Sequence, residues 1–323
     1  MRIIPFILAL TAVALVVGLA LWYAGMPDLG PEEQGQGPPE TPQLSGPAVH
    51  LGVVPERDIF AQRRRFRLLA SYIGRKLDRP VKVVTLNTYQ AVLRDFQEKQ
   101  VDAAFLGSLV AVLAVDRLDA GVLVKPLYPG DISTYHGVIF VPEVSPIRTV
   151  EDLAGRSIAM VKTTTAGELF PLYALMKRGI LEGDDAPETV WVGTHDAAIL
   201  EVLGGRVDAG AAKNLRLDAY LAEQPDAGVR RLAASPPVPN EALIVRRDLA
   251  RTLGADLKRV LLAMAADPRG AEVLEGFGAE RFVPCHLEGF SAVYEMVAEL
   301  GPHWDRMSVD GPPPERLLDM ESP

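Results

Sequence analysis

Cysteine is almost missing from this chain: Cys285 stands alone among 323 residues. A single thiol excludes an internal disulfide and a thiolate metal cluster, and Cys285 reads as a small buried apolar residue or an incidental free thiol. Histidine is scarce as well. His136, His286 and His303 show no spacing that would gather them on a metal, so neither a metal nor a cofactor is expected. Positive charge is outnumbered, with 33 Lys and Arg against 42 Asp and Glu and a net charge of −9. Without a basic field to release counterions, nucleic acid is excluded as a general partner. An anionic ligand is not excluded, because local dipoles can hold an anion against the sign of the whole.

What the chain has begins with its ends. Residues Ile3 to Gly25 are almost unbrokenly apolar, interrupted by Pro5 and Thr11. That is roughly 20 residues, enough to span a bilayer as a helix. Residues 1–25 therefore read as a transmembrane anchor or a signal segment. The bulky Leu21-Trp22-Tyr23 suits a membrane interface better than a cleavage site, which favours an uncleaved anchor over a cleaved signal peptide. No cysteine follows the run, so a lipoprotein is excluded. Either way the body is exported, to the periplasmic side of the inner membrane. Residues 26–48, rich in Pro, Gly, Gln and Glu, read as a flexible tether, and residues 306–323, with Pro312-Pro313-Pro314, as a loose tail.

Between these ends the chain is long and apolar enough (48% hydrophobic) to bury a core in two lobes. Strands are expected at 49–55, 81–86 and 101–106, with helices at 57–77 and 89–100 between them. A second series has strands at 157–161, 189–192, 207–212 and 229–233. This βαβ order implies a parallel sheet with helices on both sides in each lobe. One echo links the two series: Gln100-Val101-Asp102-Ala103-Ala104 and Arg206-Val207-Asp208-Ala209-Gly210 each follow an amphipathic helix and open a buried strand. Tyr135–Pro142 and Glu241–Arg246 read as two strands crossing between lobes. Lobe one then takes 49–139 and 243–305, lobe two 140–242, and a ligand cleft lies between them at the strand ends.

The segment Ile158–Pro171 is the most informative. A short apolar strand delivers Thr163, Thr164 and Thr165 to a helix start, where backbone N–H groups lack partners and the macrodipole is positive. Gly167 would let the backbone approach a ligand. This suits a phosphate-like oxyanion held by neutral donors, without metal or full positive charge. The plainer reading makes Thr165 an N-cap and its neighbours loop residues.

Taken in order, the motifs resemble the substrate-binding proteins of phosphonate, phosphite and phosphate ABC transporters. They are Tyr89-Gln90-Ala91, Val101–Gly107, Ser145-Pro146-Ile147 with Glu151–Gly155, Thr163–Gly167 with Pro171, Gly193–Ala198, Gly205–Ala209 and Pro236–Asn240. The resemblance implies the type 2 periplasmic binding protein fold over roughly Leu51 to Tyr294. It places Tyr89 over the ligand, Thr164 and Thr165 on phosphonyl oxygens, and His195 as an N–H donor at a helix start. Ala166 stands where a further serine is usual, with Thr163 as a substitute donor, and Ser108 could donate from lobe one. Lys213 replaces a carboxylate that would hold a ligand ammonium, while Glu241 keeps the second one, so a non-amine phosphonate or small inorganic oxyanion is favoured. Lys213 could instead pair with Asp218, Glu241 with Lys213, and Tyr89 could be a core aromatic. Arg63, Arg64, Arg65 and Arg67 read as a solvated helix face, or as a patch for lipid headgroups or a partner.

The function expected is capture of an oxyanion by a monomer that docks on an ABC transporter permease. The alternative is an anchored sensor that reports occupancy to a histidine kinase. An enzyme using Thr165, His195 and Asp196 is not expected, because neighbouring side chains at a helix start diverge.

Overall fold

The computed structural model describes residues 44–54, 59–86 and 89–315, with only the backbone of Ile59, Ala61, Tyr89 and Gln90. The expected anchor, most of the tether and the end of the tail lie outside the described residues. Among the described residues no helix is long and apolar enough to cross a membrane.

Lobe one opens with β1 (Val49–Val53), α1 (Ile59–Leu77), β2 (Val81–Thr85), α2 (Tyr89–Gln97), β3 (Ala103–Leu106), α3 (Ser108–Leu118) and β4 (Gly121–Leu127). Lobe two follows with β6 (Gly137–Pro142), β7 (Ser157–Val161), α4 (Phe170–Lys177), β8 (Glu188–Val192), α5 (His195–Leu203), β9 (Ala209–Lys213), α6 (Asn214–Glu223) and β10 (Val229–Ala234). The chain then returns to lobe one through β12 (Ala242–Val245), α7 (Leu253–Leu262), α8 (Pro268–Phe277), β13 (Arg281–Pro284) and α9 (Ser291–Leu300). Two sheets result, ordered β13-β4-β12-β3-β1-β2 and β10-β6-β9-β7-β8.

Neither sheet is purely parallel, as the βαβ order implied. β12 runs antiparallel between β3 and β4, and β6 runs antiparallel between β9 and β10. β6 and β12 are where the chain enters a lobe, and β13 is reversed as well, antiparallel to β4 at the sheet edge. The crossing itself is shorter than expected, a two-stranded ribbon of β5 (Thr134–Tyr135) and β11 (Val238–Pro239). The longer apolar runs at 138–141 and 243–245 are fully buried, which suits sheet interiors rather than a solvated hinge. Lobe one is closed by an aromatic cluster in which the Phe66 ring on α1 meets Phe277 on α8 edge-on at 5.3 Å, with Phe105 and Phe282 alongside. Residues more than 200 apart in sequence thereby share one core.

The paired Asp motifs have the same job. Asp102, just before β3, accepts a hydrogen bond from the His50 N–H of the parallel neighbour β1 at 2.8 Å. Asp208, just before β9, accepts from the Ser157 N–H of parallel β7 at 2.9 Å. In both lobes the carboxylate satisfies a backbone donor at the start of the parallel strand pair and pins strand register.

The C-terminal part differs from the expected loose tail through Glu315. Trp304 Nε1 donates to the Gly311 carbonyl at 2.9 Å, Arg117 on α3 donates to the carbonyls of Asp310 and Pro312 at 2.6 Å, and the Glu315 N–H reaches Asp116 at 3.0 Å. Proline suits this role because an extended strap offers carbonyls without needing its own N–H groups paired. Helix α9 packs on both α3 and α4, with Glu299 bonded to Lys177 at 2.7 Å, so it spans the lobes rather than belonging to lobe one. Cys285 is buried, and burial pushes its thiol pKa up.

Candidate functional site

A cavity of about 400 Å³ lies between the lobes at the strand ends. Seven of the eight expected site residues line it: Ser108, Thr163, Thr164, Thr165, His195, Lys213 and Glu241. Tyr89 opens α2, and its side chain lies outside the described residues.

The threonine turn is built as a five-residue π-helical turn, Thr165–Leu169, that runs into α4. Thr164, not Thr165, is its N-cap: its hydroxyl accepts from the Gly167 N–H at 3.0 Å and donates to the Val161 carbonyl at 2.9 Å. Gly167 is needed for packing rather than for approach of a ligand, since a Cβ there would sit 2.6 Å from Val161 Cβ and 2.7 Å from Thr164 Oγ1. Thr165 Oγ1 reaches across to lobe one and accepts from the Leu109 N–H at the start of α3, at 2.9 Å. Beside it Ser108 donates its hydroxyl to the Pro239 carbonyl of the ribbon at 2.5 Å.

Thr163 faces the other way. It holds a left-handed backbone (φ 57°), costly for a β-branched residue, and its hydroxyl meets Ser308 Oγ at 3.1 Å. What holds it there is Glu168, a fully buried carboxylate that accepts from the Thr163 N–H, from the Ser308 N–H at 2.5 Å and from Ser308 Oγ at 2.7 Å. Burial pushes the Glu168 pKa up, while these hydrogen bonds pull it down. The strap therefore braces the turn from behind. No sequence pattern joined Ser308 to this turn, because the pairing spans 140 residues.

The second corner of lobe two is the start of α5. Thr194 caps it, accepting from the Ala197 N–H at 3.0 Å, and His195 follows. His195 is half-buried, and its Nδ1 is fully buried with no hydrogen-bond partner. Desolvation first, then the charges of Lys213 and Arg216, push its pKa down to about 3, so the ring is neutral at ordinary pH. The Ala211 backbone pulls weakly the other way.

Positive charge, expected to play little part, is prominent. Lys213 Nζ lies 3.0 Å from Asn240 Oδ1 and 4.6 Å from the Tyr135 ring centroid, at the ribbon end of the cavity. It does not take Asp218, which pairs with Arg231 on the surface. Glu241 accepts a short hydrogen bond from Tyr128. Arg216 and Arg65 also line the cavity, with Asp196. Arg65 departs from the solvated-face expectation that Arg63, Arg64 and Arg67 meet, since those three are exposed and Arg65 is not. A helical signal was there: Arg65 is three residues beyond Gln62, which is buried and lines the same cavity. Arg216 lies in the first turn of α6, and no helical spacing marked it, because Lys213 belongs to β9. Three cations against two carboxylates give the cavity a positive field inside an acidic protein. Among the described residues no cluster of ligating side chains could hold a metal.

Comparisons with known proteins agree with this geometry. Over 278 residues the chain is 24% identical to the probable ABC transporter phosphite binding protein PhnD1 of Prochlorococcus marinus, covering 81% of this chain and 91% of that protein. It is 24% identical to the phosphonates-binding periplasmic protein of Escherichia coli, over 72% of this chain and 70% of that one. The solved structure of PhnD1 from Prochlorococcus marinus in complex with methylphosphonate matches with a TM-score of 0.66 and 22% identity, over 78% of this chain and 98% of that one. These similarities give the sensor-kinase reading no support. The family model for the periplasmic substrate-binding protein of phosphonate ABC transporters matches residues 51–290, and the chain belongs to that family, with the type 2 periplasmic binding protein fold.

Proposed function

We propose that the inter-lobe cavity captures a small phosphate-like oxyanion, a non-amine phosphonate, phosphite or phosphate, and that the closed, monomeric protein hands it to an ABC permease. The observation that carries this reading is the convergence of Lys213, Arg216 and Arg65 with His195 in one cavity. An aminoalkyl phosphonate would bring its ammonium toward Lys213, where like charge disfavours it. The names of the relatives point to the same ligand class, phosphite and phosphonate.

No reaction is assigned to the site. The Thr165 hydroxyl is hydrogen-bonded to Leu109, and His195 Nδ1 has no partner, so a nucleophile and its base are not joined. The N-terminal segment is proposed as an uncleaved anchor that keeps the body at the inner membrane. Titration calorimetry of the purified protein with phosphate, phosphite, methylphosphonate and aminoethylphosphonate tests the reading. Tight binding of one of the first three is expected. Silence across all four, or a preference for aminoethylphosphonate, would contradict it.

A further inference from the structure

Helix α1 carries six Arg or Lys residues and no Asp or Glu, in a chain whose net charge is −9. Gln62 and Arg65 line the cavity, and Lys76 in the last turn pairs with Asp267 at 2.6 Å. The outward face is different. Phe60, Arg63, Arg64 and Arg67 fall at helical spacing on one stripe, all exposed, with Phe60 85% exposed. Among the described residues none of these three arginines forms a salt bridge, whereas Arg206, Arg230, Arg231 and Arg259 each pair with a carboxylate. Helix α8 packs along α1, yet its Glu272 and Glu275 form no salt bridge with the stripe. Glu56-Arg57-Asp58 ahead of the helix adds one net negative charge against the three positive ones. Arginines three and four residues apart on one helix repel each other, a cost that an anionic surface would relieve.

We propose that this stripe docks the body on an anionic bilayer, with the guanidinium groups of Arg63, Arg64 and Arg67 on lipid phosphates and the Phe60 ring in the interface. Arginine suits phosphate through its paired N–H donors, and an aromatic ring among arginines suits the headgroup region. A lipid surface is favoured over a protein loop because the chain brings its own route to a membrane. Residues Ile3 to Gly25 read as an anchor, and residues 26–48 extend to at most about 80 Å. Such a tether keeps the bilayer at a millimolar effective concentration, so a contact too weak to recruit a free protein suffices. Each arginine near an anionic surface favours the docked form by about 5-fold, and three together by about 100-fold. The inference rests on the anchored reading above and is independent of the oxyanion reading.

Energy transfer measured on the full chain in vesicles tests this. A donor dye is placed on Ser71→Cys, exposed and one turn beyond Arg67, while Cys285 is buried. Acceptor dyes sit on headgroups of vesicles made of phosphatidylcholine alone or with about one third phosphatidylglycerol. In the anionic vesicles the ratio of docked to undocked protein is expected to rise about 100-fold, read as a gain in transfer. The gain disappears in about 1 M salt, where the screening length falls to about 3 Å, an arm that needs no further variant to fold. It also disappears in Arg63→Gln/Arg64→Gln/Arg67→Gln. Equal transfer in both kinds of vesicle overturns the inference, as does a gain that survives the salt or the triple substitution. A gain seen only when the permease is added to neutral vesicles assigns the stripe to a protein and overturns it too. Flotation with neutral vesicles reports the anchor separately. A chain that stays behind overturns the anchored reading, and its flotation with the anionic vesicles then measures docking directly, with none overturning the inference.

Discussion

Two corners of lobe two face the cleft, and they are built in opposite ways. The threonine turn is rich in hydroxyls, yet Thr164 caps its own turn, Thr165 accepts from lobe one and Thr163 is bonded to the strap. The His195 corner is poor in hydroxyls, yet it holds the buried unpartnered atom and stands beside two cations. A motif can thus be conspicuous in sequence because it builds the wall, while the chemistry left for a ligand lies where the sequence is plainer. The turn shapes and braces the cavity, while His195, Lys213, Arg216 and Arg65 line it with a titratable ring and three cations.

The largest expected effect breaks the second corner. Lys213→Glu restores a carboxylate at the ribbon end and reverses one of three cavity cations. Methylphosphonate binding falls by at least about 100-fold in calorimetry, and aminoethylphosphonate gains relative to it. Preserved methylphosphonate affinity would remove Lys213 from the site. Next comes the brace of the first corner. Glu168→Ala leaves the Ser308 N–H without its acceptor and the Thr163 N–H with only Ser308 Oγ at 3.1 Å, at about 1–3 kcal/mol of stability read from urea unfolding. A stability equal to that of the unaltered protein would show that the strap holds nothing.

Smaller effects sharpen the contrast. Thr165→Val removes the acceptor for the Leu109 N–H while keeping the shape, and costs about 1–2 kcal/mol of stability by the same assay. Thr164→Ala removes an N-cap, at about 1 kcal/mol. A pH effect stands apart from these substitutions. His195 has a folded pKa of about 3 against 6.5 unfolded, so the unfolded chain binds the extra proton between those values. Its contribution to stability is complete above pH 6.5 and is lost as pH falls toward 3. Unfolding midpoints measured along that range should decline more steeply in the unaltered protein than in His195→Gln. Parallel curves would mean that the ring is already solvated.

Much of the fold was legible because period and order carry it. Val138–Val141 and Leu243–Val245 announced strands, though as crossings between lobes, and the Asp102 and Asp208 echoes marked one register device used twice. Their place in the sheets was less legible, since nothing local says that a strand is reversed or that the true crossing is only two residue pairs long. The cavity lining was legible as a set: Ser108, the three threonines, His195, Lys213 and Glu241 lie around one space. Their individual roles were not. Whether Thr164 donates to a ligand or to Val161, and whether His195 offers an N–H or a lone pair, depends on partners decided by tertiary contact. Arg65 was hidden among neighbouring arginines because helix phase alone turned it inward. Ser308 was hidden in a stretch whose prolines resembled disorder, although their carbonyls serve α3.

A crystal structure of the protein grown with methylphosphonate tests the central claim most directly. The account predicts one anion in the inter-lobe cavity, with phosphonyl oxygens in hydrogen-bond reach of Lys213 or Arg216, and the Thr164 cap unbroken. An anion seated elsewhere, or an empty cavity at saturating ligand, would contradict it.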